Sequence, residues 1–98
     1  MDEEITKVIF RRWANGDVIA LFPEIAATVG NPSHCLSYSR VGEHGAADLL
    51  GLTYKLKLAT PAEYADTLVA LTRRGYRLKV IKRVTRAMFQ ARRAQLKG

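Results

Sequence analysis

Residues 5–13 (ITKVIFRRW) and 18–22 (VIALF) are dense in β-branched and aromatic side chains, and they flank Asn15-Gly16. That pair readily adopts the two positive φ angles of a type I′ turn, so the spacing predicts a β-hairpin. A two-residue loop sets Phe10 opposite Leu21 and Trp13 opposite Val18. Val8, Phe10, Arg12, Ile19 and Leu21 then share one face, and Ile9, Arg11, Trp13, Val18, Ala20 and Phe22 share the other. Both faces are largely apolar, which predicts a helix over one and a loop or the C-terminal segment over part of the other. Pro23 is expected to end the second strand. Gly30, Asn31 and Pro32 mark residues 26–34 as a loop, and CLSYSRV at 35–41 alternates as a third strand. The three glycines of residues 42–52 (GEHGAADLLGL) indicate a loop containing one turn.

Further along, Thr60-Pro61-Ala62-Glu63 combines an N-cap threonine, a proline at the first helical position and a glutamate at the third. Tyr64, Ala65, Leu68, Leu71 and Thr72 recur at helical spacing, and Arg73-Arg74-Gly75 supplies cations and a left-handed stop. A helix over 61–74 follows. Residues 76–84 (YRLKVIKRV) alternate as a strand, with Tyr76, Leu78, Val80 and Val84 on one side and Arg77, Lys79, Ile81 and Arg83 on the other. From Thr85 the residues are good helix formers but carry only a thin apolar stripe of Met88, Phe89 and Leu96, which describes either a weakly docked terminal helix or a frayed basic tail. The expected fold class is therefore α+β, in the order β-β-β-α-β. It has a four-stranded, mostly antiparallel sheet, one packed helix, a single domain over 1–84 and a basic C-terminal extension over 85–98.

Charge sharpens this outline. Residues 1–50 hold four basic and seven acidic side chains, 4 − 7 = −3, while residues 51–98 hold twelve and two, 12 − 2 = +10, in a chain of net charge +7. From Arg73 to Gly98 there are ten Lys or Arg and no Asp or Glu. Such a block attracts a polyanion over roughly 8 to 10 Å at physiological salt, without naming the polyanion. Arg73, Arg74, Arg77, Lys79, Arg83, Arg86, Arg92 and Arg93, with Lys97, form the expected nucleic-acid-binding set. Trp13 and Phe22 on one face of the hairpin, with Arg11 beside them, are a candidate further interaction surface on which bases would stack, although a domain this small has a stronger need of its aromatics for the core. A solvated edge and solubilising tail would produce the same charge pattern.

Other chemistry is poorly signalled. The 98 residues and 48% hydrophobic content suit one domain. Cys35 is the only cysteine, which excludes an internal disulfide framework and fits a reducing compartment. The acidic start at Met1–Glu4 is unlike a signal peptide, and no apolar run approaches the ~20 residues of a membrane span, so a cytoplasmic location is expected. Cys35, Tyr38, His44 and Asp48, with His34, are the richest polar group. His34 and Cys35 are adjacent, however, and point to opposite faces of a strand, and no CxxC spacing supports zinc. A small buried thiol at Cys35 and a hydrogen bond from His44 that ties down a loop explain them better than a nucleophile and base or a zinc site. The glycines at 42, 45 and 51 match neither phosphate-binding pattern. No catalytic residue, metal or cofactor is expected.

The runs VIFRRWANGDVIALFPEI, CLSYSRVGEHGAAD, TPAEYADTLVAL and GYRLKVIKRV resemble a group of small uncharacterised bacterial proteins often found on mobile elements. The likeness spans residues 7–84 and brings no activity with it, and the basic segment beyond Val84 departs from it. A weaker likeness, limited to the first hairpin and Phe22-Pro23-Glu24, is to antitoxins of the HicB type, in which a helix follows the third strand sooner. Two functions are expected to compete. One is a noncatalytic module that binds nucleic acid without sequence preference through its C-terminal strand and extension. The other is an adaptor or inhibitor directed at an acidic host protein surface or a ribonucleoprotein. Oligomeric state is not legible in the sequence.

Overall fold

The computed structural model describes residues 4–27, 30–39 and 42–97, without the side chain of Lys97. The tip of the predicted third strand, Arg40-Val41, and part of the 26–34 loop lie outside the described residues. Four strands, β1 (Ile5–Arg12), β2 (Val18–Ala26), β3 (His34–Ser39) and β4 (His44–Asp48), form an antiparallel meander. Helix α1 (Leu49–Lys55) leads to β5 (Lys57–Leu58), helix α2 (Pro61–Arg73) to β6 (Arg77–Val80), and helix α3 (Arg86–Lys97) closes the chain. The sheet runs β4-β3-β2-β1-β5, with β6 also on β1. The fold is thus α+β as expected, with six strands and three helices among the described residues in place of four strands, one packed helix and a basic C-terminal helix or tail.

The first hairpin differs by one residue from its predicted register. Ile9 faces Leu21 and Phe10 faces Ala20. The Gly16 N–H donates to the Trp13 carbonyl at 2.9 Å and the Trp13 N–H to the Asp17 carbonyl at 2.8 Å, while Gly16 alone in the turn takes a positive φ, 93°. This is a three-residue loop, a type I turn followed by a left-handed glycine, and it lets Asn15 avoid the strained region that a type I′ turn requires. Asn15 instead accepts the Asp17 N–H on its Oδ1 at 3.0 Å. One residue of slip exchanges the partners on each face. Val8, Phe10, Val18, Ala20, Phe22, Tyr38 and Leu71 make one core cluster, and Ile9, Ile19, Leu21, Cys35, Ala47, Leu49 and Leu56 make the other.

Both apolar faces are covered. Helix α2 lies on the first cluster through Leu71, Leu68 and Tyr64, whose ring stacks on Phe10 at 4.3 Å. Its start is the predicted capping box: Thr60 Oγ1 accepts the Glu63 N–H at 3.3 Å and Glu63 Oε1 accepts the Thr60 N–H at 2.8 Å. The second cluster is closed by Leu49, Leu52 and Leu56 of the α1 segment and by Ile81 and Val84 ahead of α3. Two elements thus occupy the region expected to be a loop. Asp48 caps α1 by accepting the Gly51 N–H at 3.3 Å, and a Cβ on Gly51 would meet that carboxylate at 2.2 Å, so this glycine belongs inside a helix start.

Two further expectations are corrected. Pro23 does not end β2, because the ladder with β3 shifts between Phe22 and Ala26 and the missing N–H falls at that irregularity. The last strand stops at Val80 and runs parallel to β1, from Ile5 opposite Arg77 to Val8 opposite Val80. Beyond Val8 the same edge of β1 is taken by β5, with Arg11 opposite Leu58 and Arg12 opposite Lys57, so residues 81–85 turn away.

Candidate nucleic-acid interface

The geometry divides the predicted basic set. Arg92 is 1% exposed: its Nε donates to the Pro32 carbonyl at 2.8 Å, its Nη1 to the Pro23 carbonyl, and its guanidinium lies 5.7 Å from the Phe89 ring centroid. Burial lowers its pKa from the ordinary arginine value, with the nearby Cys35 opposing that shift. This side chain pins α3 to β2 and to the β2–β3 connection, and it has no surface to offer a phosphate. Gln95 makes a second clamp, its Oε1 accepting the Ala26 N–H at 2.7 Å and its Nε2 donating to the Glu24 carbonyl at 2.6 Å. The C-terminal segment is therefore a docked helix, and neither anchor stood out in the sequence because both are polar residues on an otherwise basic helix.

Arg73, Arg74, Arg77, Lys79, Arg83, Arg86 and Arg93 are exposed, but they do not share one face. Arg74, at the end of α2, lies 5.1 Å over the Tyr38 ring and donates to the Gly42 carbonyl at 3.1 Å. Leu78 packs with the α2-side cluster, so its neighbours Arg77 and Lys79 project to the opposite side of β6.

The hairpin platform is also taken apart. Trp13 packs half-buried against the α1-side cluster, whereas Phe22 is fully buried on the α2 side, stacked on Tyr76 at 5.1 Å. Phe22 is thereby excluded from any contact with a base. Arg11 is turned inward, its Nη1 donating to the Leu56 carbonyl at 3.1 Å and its Nη2 to the Lys82 carbonyl at 3.5 Å. Partial burial lowers its pKa.

That role of Arg11 reveals what the sequence concealed. By binding two carbonyls 26 positions apart in the chain, it draws Lys55 and Lys57, which flank Leu56, toward Lys82 and Arg83. Lys55, Lys57, Lys79, Lys82 and Arg83 are all exposed along this edge of the sheet. Trp13 sits at its end, in a hollow of about 430 Å3 that it shares with Arg12, Ala14, Lys55, Leu56 and Lys57. Arg12 is held by Glu63 at 2.9 Å and Lys7 by Glu24 at 3.4 Å, so those carboxylates are engaged with residues outside the edge set. The acidic residues Asp17, Glu63 and Asp66 instead line a separate hollow between the hairpin turn and α2.

The Cys35–His44 group is divided as well. Cys35 is completely buried on the α1 side, and burial pushes its thiol up to about 11. His44 is exposed on the other side, with Nε2 2.9 Å from the Tyr76 hydroxyl and its ring edge-on to Tyr38 at 5.1 Å. They cannot act as nucleophile and base. Among the described residues no three His, Cys, Asp or Glu side chains converge as a metal site requires, and no helix is long and apolar enough to cross a membrane.

The class that emerges is a small α+β domain with one basic, tryptophan-bearing sheet edge. No protein-family model, curated protein or solved structure matches this chain.

Proposed function

We propose that this protein is a noncatalytic module that binds nucleic acid without sequence preference, using the β5–β6 edge and the linker into α3. The observation that carries this reading is the row of exposed Lys55, Lys57, Lys79, Lys82 and Arg83 along the β5–β6 edge and the linker after it, with the half-buried Trp13 beside Lys55 and Lys57 at its β5 end. Exposed cations spaced along an edge neutralise successive phosphates, and an aromatic ring at the end of the row accepts a base by stacking. Arg77, Arg86 and Arg93 extend the field, and Arg92 drops out of the contact set because it is buried. Stacking on Trp13 needs an unpaired base, so single strands are favoured over duplex.

Titration of a single-stranded and a duplex oligonucleotide at several salt concentrations tests the reading. Five phosphate contacts predict a slope of log K against log salt of about −3.5 for a single strand, and Lys55→Ala with Lys57→Ala reduces its magnitude by about 1.4. Trp13→Ala weakens single-strand binding by about 1 to 3 kcal/mol and leaves duplex binding nearly unchanged. Affinity indifferent to salt would remove the idea.

The competing adaptor reading, directed at an acidic protein surface or a ribonucleoprotein, called on the second apolar face of the hairpin or on an open sheet edge; α1 and residues 81–84 cover that face, while β4 pairs only with β3 among the described residues. The row of exposed cations favours the nucleic-acid reading.

A further inference from the structure

The two ends of the sheet are built differently. At one end, β6 carries Arg77 and Lys79 and β5 carries Lys57, charges that discourage another strand from adding to the edge. At the other end β4 reads His-Gly-Ala-Ala-Asp, with no charge across its centre, and His44, Gly45, Ala46 and Asp48 are all exposed. Among the described residues β4 pairs only with β3.

We infer that β4 is a self-pairing edge that joins two copies of this chain into a symmetric dimer. The Ser39 N–H donates to the Glu43 carbonyl at 3.0 Å and the Leu49 N–H to the Ser33 carbonyl at 3.3 Å. This parity places the odd-numbered residues of β4 in hydrogen-bonded pairs with β3, so the N–H and C=O groups of His44, Ala46 and Asp48 point outward. Laid antiparallel about a two-fold axis at Ala46, two such edges match donor to acceptor throughout. Ala46 faces Ala46 of the second copy, and each His44 faces the second copy's Asp48. The strand is thus complementary to itself in its side chains as well as in backbone hydrogen bonding, with an imidazole opposite a carboxylate at both ends of the pairing. Tyr76 already holds His44 Nε2 at 2.9 Å, which leaves Nδ1 for the facing carboxylate. Sliding the register by two residues in either direction loses both histidine–aspartate pairs. The small side chains of Gly45 and Ala46 put no bulk in the way, and Leu50, 61% exposed two residues beyond the strand, adds apolar surface beside it. Five residues a side make a small interface, so the dimer is a weak one that dissociates on dilution.

Sedimentation equilibrium on the full chain, from micromolar to several hundred micromolar, reads the assembly directly. The expected mass rises from the monomer's 10.9 kDa toward twice that value. Ala46→Pro removes the outward N–H without touching the β3 ladder, and it should weaken association at least about tenfold, as should His44→Asp, which sets like charges opposite one another. Circular dichroism establishes that each variant is folded. Independently, Ala46→Cys places two thiols opposite each other at a Cα separation of about 5.5 Å, within disulfide range, and should cross-link under mild oxidation well ahead of an Ala14→Cys control at the hairpin tip. A chain that stays monomeric throughout overturns the inference. So does a dimer indifferent to both edge variants, or one in which the Ala46→Cys thiols link no faster than the control. If Ala46→Pro fails to fold, His44→Asp and the cross-linking comparison decide. The nucleic-acid edge lies at the far end of the sheet, so salt-dependent oligonucleotide binding stands or falls separately.

Discussion

Two buried side chains show how residue identity and environment combine. Arg92 carries its charge into a site 1% exposed because two proline carbonyls, which sit where the chain has no continuing ladder, need donors. Arg92→Ala leaves both carbonyls dry and removes the pin on α3, an expected loss of roughly 2 to 4 kcal/mol readable in urea or thermal unfolding. A phosphate-contacting arginine would instead lower affinity and leave stability alone. Cys35 supplies the complementary case. Its thiol, raised from 9.0 to about 11 by burial, stays protonated in the folded chain at pH values where the unfolded chain ionises. The stabilising difference is therefore complete below about pH 9 and is lost as pH rises toward 11. Alkylation by iodoacetamide at pH 8 should be negligible until denaturant opens the core.

Among the elements, α2 and β4–α1 mark the two extremes of legibility. Helix α2 was readable because its cap is local chemistry: Thr60, Pro61 and Glu63 satisfy orphan backbone donors within one turn. Thr60→Ala should cost about 1 kcal/mol, measured by equilibrium unfolding, and Glu63, whose pKa is lowered first by the Thr60 N–H it accepts, fixes the same turn from the other side. The β4–α1 segment was hidden because Gly42, Gly45 and Gly51 look alike in sequence and serve three purposes. Gly42 takes a positive φ of 85° after β3, Gly45 lies flat on the sheet edge, and Gly51 makes room for the Asp48 carboxylate. The register of the first hairpin belongs here as well. Asn-Gly admits both a two-residue and a three-residue loop, and the choice was made by which faces of β1 and β2 met helices.

At the scale of the whole molecule, opposite ends of one sheet have opposite characters. The β5–β6 end carries a row of cations with Trp13 beside Lys55 and Lys57, the β4 strand carries no Lys or Arg and among the described residues pairs only with β3, and the acidic residues Asp17, Glu63 and Asp66 collect over the hairpin turn beside α2. A dimer joined at β4 carries its two basic edges at the far ends of a continuous sheet, an arrangement that contacts two separate stretches of a polyanion. The sequence alone determined the segregation of charge, the α+β class, the first hairpin and the capped helix, because composition, β-branched runs and caps act over a few neighbouring residues. Only the tertiary structure decided that Arg92 and Arg11 are internal fasteners and that Lys55 and Lys57 join Lys82 and Arg83. It also decided that Trp13 and Phe22 part company. A side chain's surroundings are set by strand register and by which element covers which face, and those depend on contacts tens of residues apart in the chain.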